Sequence, residues 1–326
     1  MKKRVFSGVR PTGRLHIGNY LGAMKNYVAL QDEYDCIYAI VDLHALTTLE
    51  ETTKVRDNVR EVVLDFLAAG LDPARSAIFV QSHVPEVTEL FTILGMLTPL
   101  SWLLRVPTFK EKVKMHPQNV NYGLVGYPVL MASDILTYKA EVVPVGEDQL
   151  PHLELTREIV RRFNEHFGPT FAEPQAKLTN YPMVVGLDGR DKMSKSLNNH
   201  IELAATAEET TKKVMSAVTD PARKLRSDPG HPEVCNVYKL QCYFNNQRAT
   251  SITDECREAK IGCVECKRLL AEAINTELTP LRARRSELAA HPEDIDRILR
   301  DGAERARGVA RTTLLEVKQK IGLVSF

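Results

Sequence analysis

A loop at residues 11–20, Pro-Thr-Gly-Arg-Leu-His-Ile-Gly-Asn-Tyr, constrains the fold of this chain more than any other segment. A β-like run rich in valine, Arg4–Val9, precedes the loop. A helical pattern follows it, with apolar residues on one side: Leu21, Met24, Tyr27 and Leu30. Gly13 and Gly18 allow a tight turn and the close approach of a ligand. The pattern predicts strand, loop and helix, and the start of such a helix can bind a phosphate group, beside which His16 would donate a hydrogen bond.

The same alternation continues through the first half of the chain. Residues 34–46 form a near-continuous apolar run, which is typical of a strand buried on both faces of a parallel sheet. A helical pattern at 52–70 and a strand-like run at 76–81 follow. The order β-α-β-α-β predicts an α/β fold with a Rossmann-like parallel-sheet catalytic domain. The isolated Cys36 is interpreted as a small core residue.

The rest of the chain sets the predicted domain organisation. Residues 84–139 are predicted to be mostly helical, and strands are predicted at 141–146 and 183–187 around a helix at 150–167. After about residue 205 strand patterns largely disappear. We therefore predict a catalytic domain at 1–204, a helical domain at 205–290, and a C-terminal helix at 291–326 that packs back on the catalytic domain.

Net charge and hydropathy limit the function classes. The net charge of the 326 residues is +1, so contacts with nucleic acid would have to come from local patches. The longest apolar-rich stretch, 91–104, is interrupted by threonine, proline and serine, which favours a core or subunit-interface helix over a membrane span. The basic N-terminus is followed by no apolar region, so no signal peptide is expected. These observations predict a cytoplasmic protein without a membrane partner.

A second loop, Asp-Lys-Met-Ser-Lys-Ser at 191–196, changes the interpretation of the first. Lys192 and Lys195 are point charges on flexible stems, which suits them to a pyrophosphate leaving group, although a solvated basic loop is the alternative. The two loops, in this order, resemble the two signature sequences of class I aminoacyl-tRNA synthetases. Asn19 departs from the first signature, where the family most often has histidine.

The segments between the two loops narrow the resemblance. Val-Asp-Leu-His at 41–44, the helix at 127–136 and Val-Gly-Glu-Asp-Gln at 145–149 resemble tryptophanyl-tRNA synthetases over nearly the whole chain, with the tyrosyl enzymes as runner-up. The resemblance implies that ATP activates L-tryptophan to tryptophanyl-adenylate, and that the tryptophan is then transferred to the 2′-hydroxyl of the terminal adenosine of tRNA(Trp). It also implies a homodimer.

The chemistry of tryptophan fits one residue in particular. The indole N–H only donates, so an apolar pocket with one carboxylate would accept from it, and Asp134 lies among apolar residues. A helix-capping or surface carboxylate is the alternative. The resemblance implies a tryptophan site formed by Phe6, His44, Tyr127, Met131, Asp134 and Gln149.

The nucleotide site follows from the resemblance as well. It implies that ATP binds to Arg10, Thr12, Gly13, His16, Gly18, Asn19, Gly146, Asp148, Lys192, Met193, Ser194 and Lys195. Lys110, Lys192 and Lys195 are the predicted catalytic residues, which neutralise the triphosphate, and Mg²⁺ is expected with ATP. A small-molecule adenylyltransferase and a non-catalytic RNA-binding protein are the competing classes.

Five of the six cysteines lie within residues 235–266. Cys256, Cys263 and Cys266 follow a C-x6-C-x2-C spacing, and 20 residues separate Cys235 from Cys256. From the spacing alone, zinc and an iron–sulfur cluster are both open. Some tryptophanyl-tRNA synthetases resemble this segment and carry a [4Fe-4S] cluster there, with a first gap that is two residues longer. Cys242 is therefore a rival for Cys235 as the first ligand.

Overall fold

A parallel sheet organises the first part of the molecule. The computed structural model describes residues 2–47, 52–115, 117–118, 120–178 and 183–323, without the side chains of 111, 112 and 115. The strands are β1 (Arg4–Val9), β2 (Asp35–Ile40), β3 (Ser76–Val80), β4 (Val142–Val145) and β5 (Gln175–Leu178). They lie in the order β3-β2-β1-β4-β5, and every pair is parallel. The predicted α/β fold with a parallel sheet is confirmed.

Helices connect and cover these strands. Those before residue 168 are α1 (Ile17–Asn19), α2 (Lys25–Leu30), α3 (Asp42–Ala45), α4 (Val55–Ala68), α5 (Glu86–Leu97), α6 (Leu100–Arg105), α7 (Pro107–Met115), α8 (Tyr122–Thr137) and α9 (Leu150–Phe167). Those that follow are α10 (Ala207–Ser216), α11 (Asn236–Phe244), α12 (Asn246–Arg257), α13 (Cys263–Ala289) and α14 (Pro292–Lys320). A π-helical turn, Tyr20–Met24, joins α1 to α2, and 3₁₀ turns lie at Gln81–His83, Glu147–Gln149 and Pro232–Val234. Within the described residues, no helix combines the length and apolarity that crossing a membrane requires.

The chain forms two compact units that are not continuous in sequence. The first comprises Met1–Gly13, Ala23–Pro182 and His291–Phe326, and the second comprises Arg14–Gly22 and Met183–Ala290. This division differs from the predicted boundary at 204, because residues 183–204 cluster with the helices that follow them. In the first unit α14 packs against β3, and its face of small residues, including Ala303, Ala306 and Ala310, is buried in the sheet's core cluster.

Burial explains most of the predicted strands, and a capping interaction corrects one of them. All residues of β3 are buried, as a sheet covered on both faces requires. The strand predicted at 34–46 ends at Ile40, and α3 follows it. The Asp42 carboxylate accepts hydrogen bonds from the backbone N–H groups of Leu43 and Ser82, both at 3.0 Å. The bond from Leu43 is local and competes with the pairing of a strand, and the bond from Ser82 ties Asp42 to a distant part of the chain.

The strand predicted at 183–187 is wrong. The segment makes a single isolated bridge, between Val185 and Lys192. The strand that pairs with β4 is instead β5, whose sequence Gln-Ala-Lys-Leu shows little apolar signal because it is half-exposed at the sheet edge. After residue 205 the described chain is helical, as predicted.

Candidate active site

The strand order creates a crevice beside the ends of β1 and β4. From β1 the chain continues to β2 on one side of the sheet, and from β4 it continues to β5 on the other side. The place between β1 and β4 where this direction reverses is called the switch point. Ligands of such sheets bind there, beyond the carboxyl ends of the strands. A cavity of about 430 Å³ lies there within the first unit. Its lining includes all six predicted tryptophan-binding residues and two of the predicted ATP-binding residues: Phe6, His44, Tyr127, Met131, Asp134 and Gln149, with Arg10 and Gly146.

Asp134 is the buried carboxylate of this cavity. It lies in α8 and is 2% exposed. Gln81 donates from Nε2 to both of its oxygens, at 2.7 and 2.8 Å. His44 Nε2 lies 2.9 Å from Oδ2 and donates, because a carboxylate only accepts. Three of the roughly four acceptor directions of the carboxylate are thus used, which leaves one on Oδ1.

Gln81 is a site residue that sequence reasoning missed. It is fully buried and follows β3 directly. Its Oε1 accepts from the backbone N–H of Leu43 at 3.1 Å, so the amide fixes both the start of α3 and the carboxylate of Asp134. A polar residue at the carboxyl end of a buried parallel strand was the available signal.

A second polar group occupies the same cavity. The hydroxyl of Tyr127 lies 2.6 Å from Thr108 Oγ1 and 2.8 Å from His152 Nε2, and these two atoms are 2.9 Å apart. Thr108 and His152 also line the cavity and were not predicted. The three groups fix the orientation of the Tyr127 hydroxyl, whose oxygen can accept a hydrogen bond from a bound ammonium group.

The glycine-containing loop contributes a histidine to the second unit. His16 precedes α1, and its backbone N–H donates to Asn19 Oδ1 at 3.1 Å. The ring is buried, and burial, followed by the charges of His200, Lys195 and Lys192, lowers the pKa of His16 to about 4. The imidazole is therefore neutral near pH 7, so it can offer a hydrogen bond but no positive charge.

The lysine-containing loop packs against this histidine loop inside the second unit. Met193 is buried, and its N–H donates to the carbonyl of Val184 at 2.9 Å. A Cβ added to Gly18 would lie 3.3 Å from Met193 Cβ and 2.9 Å from His16 Nδ1, so only glycine fits between the two loops. Lys192 and Lys195 lie near enough to affect the pKa of His16. Two cations thus lie near a neutral imidazole, and such a set of groups suits the phosphates of a nucleotide.

Five further predicted residues also lie outside the lining of the cavity. Lys110 is exposed on α7, and Asp148 is exposed in the 3₁₀ turn, where it accepts a hydrogen bond from Gln149 at 2.7 Å. Neither is among the residues that line the cavity. Thr12 donates from its backbone to the Arg10 carbonyl at 2.9 Å, and Gly13, with φ of 90°, ends the first unit's N-terminal segment. Ser194 lies in the lysine loop.

Four cysteines of the second unit surround one small cavity. Cys235, Cys256, Cys263 and Cys266 line it together with apolar side chains. Arg223 donates from Nη1 towards Cys256 Sγ at 3.7 Å and Cys263 Sγ at 4.0 Å. Cys242 is absent from the described lining, which distinguishes it from Cys235.

The side chains of these four cysteines would repel one another if they were ionised to thiolates. Burial, followed by the neighbouring sulfurs of Cys235, Cys256 and Cys263, raises the pKa of Cys266 to about 11, although Gln241 opposes this with a hydrogen bond. All of them are free thiols in the structure. Among the described residues, no set of three or more histidine, cysteine or acidic side chains is already arranged as metal ligands.

The parallel sheet with a crevice at its switch point defines an α/β protein of the doubly wound class. Comparison with known proteins identifies the family. The family described as tRNA synthetases class I (W and Y) matches residues 1–279, and the chain belongs to it.

Similar proteins cover nearly the full chain. The tryptophan–tRNA ligase of Thermotoga maritima is 44% identical over 98% of this chain and 99% of its own length. The tryptophan–tRNA ligase of Aquifex aeolicus is 40% identical over 98% of this chain and all of its own length. Among solved structures, tryptophanyl-tRNA synthetase from Campylobacter jejuni, complexed with ADP and tryptophan, is similar with a TM-score of 0.89. It is 35% identical and covers 98% of this chain and 100% of its own.

Proposed function

We propose that this chain is a tryptophan–tRNA ligase. It activates L-tryptophan with ATP to tryptophanyl-adenylate, releases pyrophosphate, and transfers the amino acid to tRNA(Trp) with release of AMP. Its relatives of that name are 40–44% identical over 98% of the chain. The observation that carries the proposal is the buried carboxylate of Asp134 in an apolar cavity at the switch point, with one acceptor direction left for a donor.

Tryptophan fits this cavity chemically. Its indole ring is apolar, and its single N–H would donate to Asp134 Oδ1. Phe6 and Met131 line the same cavity and supply apolar contact. Tyr127 and Gln149 supply oxygens that can accept from the α-ammonium group. The family includes enzymes for tryptophan and for tyrosine, and the relatives at 40–44% identity are tryptophan–tRNA ligases, which favours tryptophan.

The second unit supplies the groups that suit the reacting phosphates. In the first step, a carboxylate oxygen of tryptophan attacks the α-phosphorus, and the bond to the β-phosphate oxygen breaks. Lys192 and Lys195 stabilise the negative charge that accumulates on pyrophosphate, and neutral His16 donates a hydrogen bond. Mg²⁺ accompanies ATP as its counter-ion. In the second step, the 2′-hydroxyl of the terminal adenosine attacks the acyl carbon, and AMP leaves.

We propose further that the four thiols around the cysteine cavity hold a metal centre, for which the family resemblance favours [4Fe-4S] and zinc is the alternative. The support is chemical, because four cysteines line one small cavity, with Cys235 buried and the other three half-buried, and a metal would supply the positive charge that their thiolate forms need. The cavity is small, about 20 Å³, so a single zinc ion matches its present size, whereas a cluster requires the cysteine-bearing segments to separate. A metal centre would fix the fold of this helical region.

The metal proposal has a direct test. Protein purified without oxygen should contain iron and sulfide in equal, multiple amounts per chain and show a broad visible absorption band. One zinc per chain without colour would establish the alternative. Protein without iron, sulfide or zinc would refute a metal centre and leave the catalytic assignment intact.

A homodimer is proposed from an exposed apolar surface. Met96 is 83% exposed, and Leu100, Leu104 and Tyr122 are also exposed nearby in the chain. Such side chains are expected to be covered by a second copy. Light scattering after gel filtration should give twice the chain mass, and Met96→Glu with Leu100→Glu should give a monomer.

A cytoplasmic location is proposed because the substrate is tRNA.

Two assays test the proposed function together. Tryptophan-dependent exchange of pyrophosphate into ATP measures the first step, and charging of tRNA(Trp) measures both. Activity in both with tryptophan, and a far lower rate with tyrosine, would support the proposal. Exchange without charging would favour a small-molecule adenylyltransferase, and activity in neither would favour a binding protein.

A further inference from the structure

A buried asparagine, Asn199, lies behind the lysine loop. It is 4% exposed, and its side chain uses both ends of its amide. Oδ1 accepts from the backbone N–H of Ser194 at 2.8 Å. Nδ2 donates to Asp188 Oδ2 at 2.8 Å and to the carbonyl of Lys192 at 3.3 Å. One side chain thus binds the backbone on both sides of Met193.

The chain at residue 186 is shaped around this asparagine. A Cβ added to Gly186 would lie 2.1 Å from Asn199 Nδ2, so no other residue fits there without displacing the amide. A second buried asparagine, Asn236 at the start of α11, donates from Nδ2 to the carbonyl of Gly186 at 2.7 Å. Gly186 is therefore packed against the amide of Asn199 and hydrogen-bonded to the amide of Asn236.

We propose that Asn199 and Asn236 are positioning residues for the lysine loop: they hold the backbone that carries Lys192 and Lys195 in the geometry that meets the phosphates. The inference rests on the proposed function. Asn199 suits this role because a carboxamide is the small side chain that accepts at one end and donates at the other. Neither asparagine is expected to touch substrate, so their effect passes through the two lysines.

The decisive variant is Asn199→Ala, assayed by pyrophosphate exchange. A loss of alignment at the lysines is expected to lower kcat by about a hundredfold. The KM for tryptophan is expected to stay unchanged, because the residues proposed to bind tryptophan belong to the first unit. Asn198→Gly is the matched control, because Asn198 is an exposed neighbour with φ of 49° that contacts Lys213, and glycine keeps that backbone geometry.

A swapped pair separates positioning from simple loss of folding. Asn199→Asp places a carboxylate beside Asp188 and should be inactive like the alanine variant. Adding Asp188→Asn rebuilds the bond between these two side chains with donor and acceptor exchanged, but a carboxylate at position 199 cannot donate to the Lys192 carbonyl, so kcat should stay low although the fold is restored. The amplitude of the first-turnover burst counts folded active sites and should match that of the unchanged protein in all variants. Asn236→Ala, which removes only the outer bond, should lower kcat by about three- to tenfold.

Clear results would overturn the inference. A kcat of Asn199→Ala within threefold of the control would do so, as would a loss fully explained by a smaller burst. A swapped pair as active as the unchanged protein would also refute it, because that pair lacks the donor to the Lys192 carbonyl. If Asn199→Ala does not fold, unchanged kcat in Asn236→Ala overturns it. Absence of exchange activity in the unchanged protein would instead refute the proposed function, so the two failures remain distinct.

Discussion

Replacing Asp134 by alanine gives the sharpest test of the proposed tryptophan site. The carboxylate is buried and has one acceptor direction left after the bonds from Gln81 and His44. A hydrogen bond to a charged group contributes about 1.5–3 kcal/mol. Its loss should therefore lower kcat/KM for tryptophan by about 10- to 150-fold.

The assay compares tryptophan with an analogue in which sulfur replaces the indole N–H. The unchanged protein should prefer tryptophan by the same factor of about 10 to 150, because the analogue leaves the buried carboxylate without its fourth donor. Asp134→Ala should lose that preference. An equal loss of kcat/KM for both substrates would refute the role of Asp134 as the indole acceptor.

The same substitution has a cost that must be measured separately. Removing the carboxylate leaves the donors of Gln81 and His44 without an acceptor, which should lower the free energy of unfolding by about 1–3 kcal/mol. Ser133→Ala is the matched control, because Ser133 is also buried on α8 and donates to the Val87 carbonyl at 2.7 Å, away from the cavity. It should destabilise the fold and leave the preference for tryptophan intact.

Three further predictions concern the second unit. Lys195→Ala should slow adenylate formation about a hundredfold or more, with little change in the affinity for tryptophan. Lys212→Ala, which replaces an exposed lysine, is the control and should change neither quantity. An unchanged single-turnover rate in Lys195→Ala would show that Lys195 has no part in the mechanism. The pKa of His16 is about 4 in the folded protein and 6.5 in the unfolded chain. As the pH falls, the unfolded chain therefore binds this proton before the folded protein does. The free energy of unfolding should fall as pH drops between those values, and an NMR titration of His16 with a midpoint near 6.5 would contradict this. Replacing Cys263 and Cys266 by serine should abolish any bound metal and reduce tRNA charging more than pyrophosphate exchange; equal losses would assign the site to folding alone.

The sequence predicts those parts of the fold whose signals are local. Buried strands such as β2 and β3 are apolar on both faces, and α9 shows its helical period from end to end, so these elements could be located closely. The edge strand β5 carries no such signal, because half-exposed positions accept polar residues. The end of β2 depends on Asp42 and its bonds to distant backbone, which no local pattern contains.

The candidate site shows the same division. Asp134 was predictable because a single carboxylate in an apolar helix is costly to bury unless a hydrogen-bond donor meets it. Its partner Gln81 and the cluster of Thr108 with His152 come from other elements, and only the folded sheet brings them together. Asn199 was overlooked because its proposed role depends on the groups that its amide binds in the folded protein. In the sequence it is one polar residue after a loop, and such residues are common.

The position of α14 has a consequence for synthesis of the protein. Roughly 210 residues separate β3 from the helix that packs on it. At ribosomal rates of about 5–20 residues per second, the apolar side chains of Ala77 and Phe79 wait on the order of ten to forty seconds for Ala303, Ala306 and Ala310 to cover them. A nascent chain in this interval exposes part of its sheet. We therefore expect chaperones to bind it before residue 291 emerges and to release it once α14 has docked.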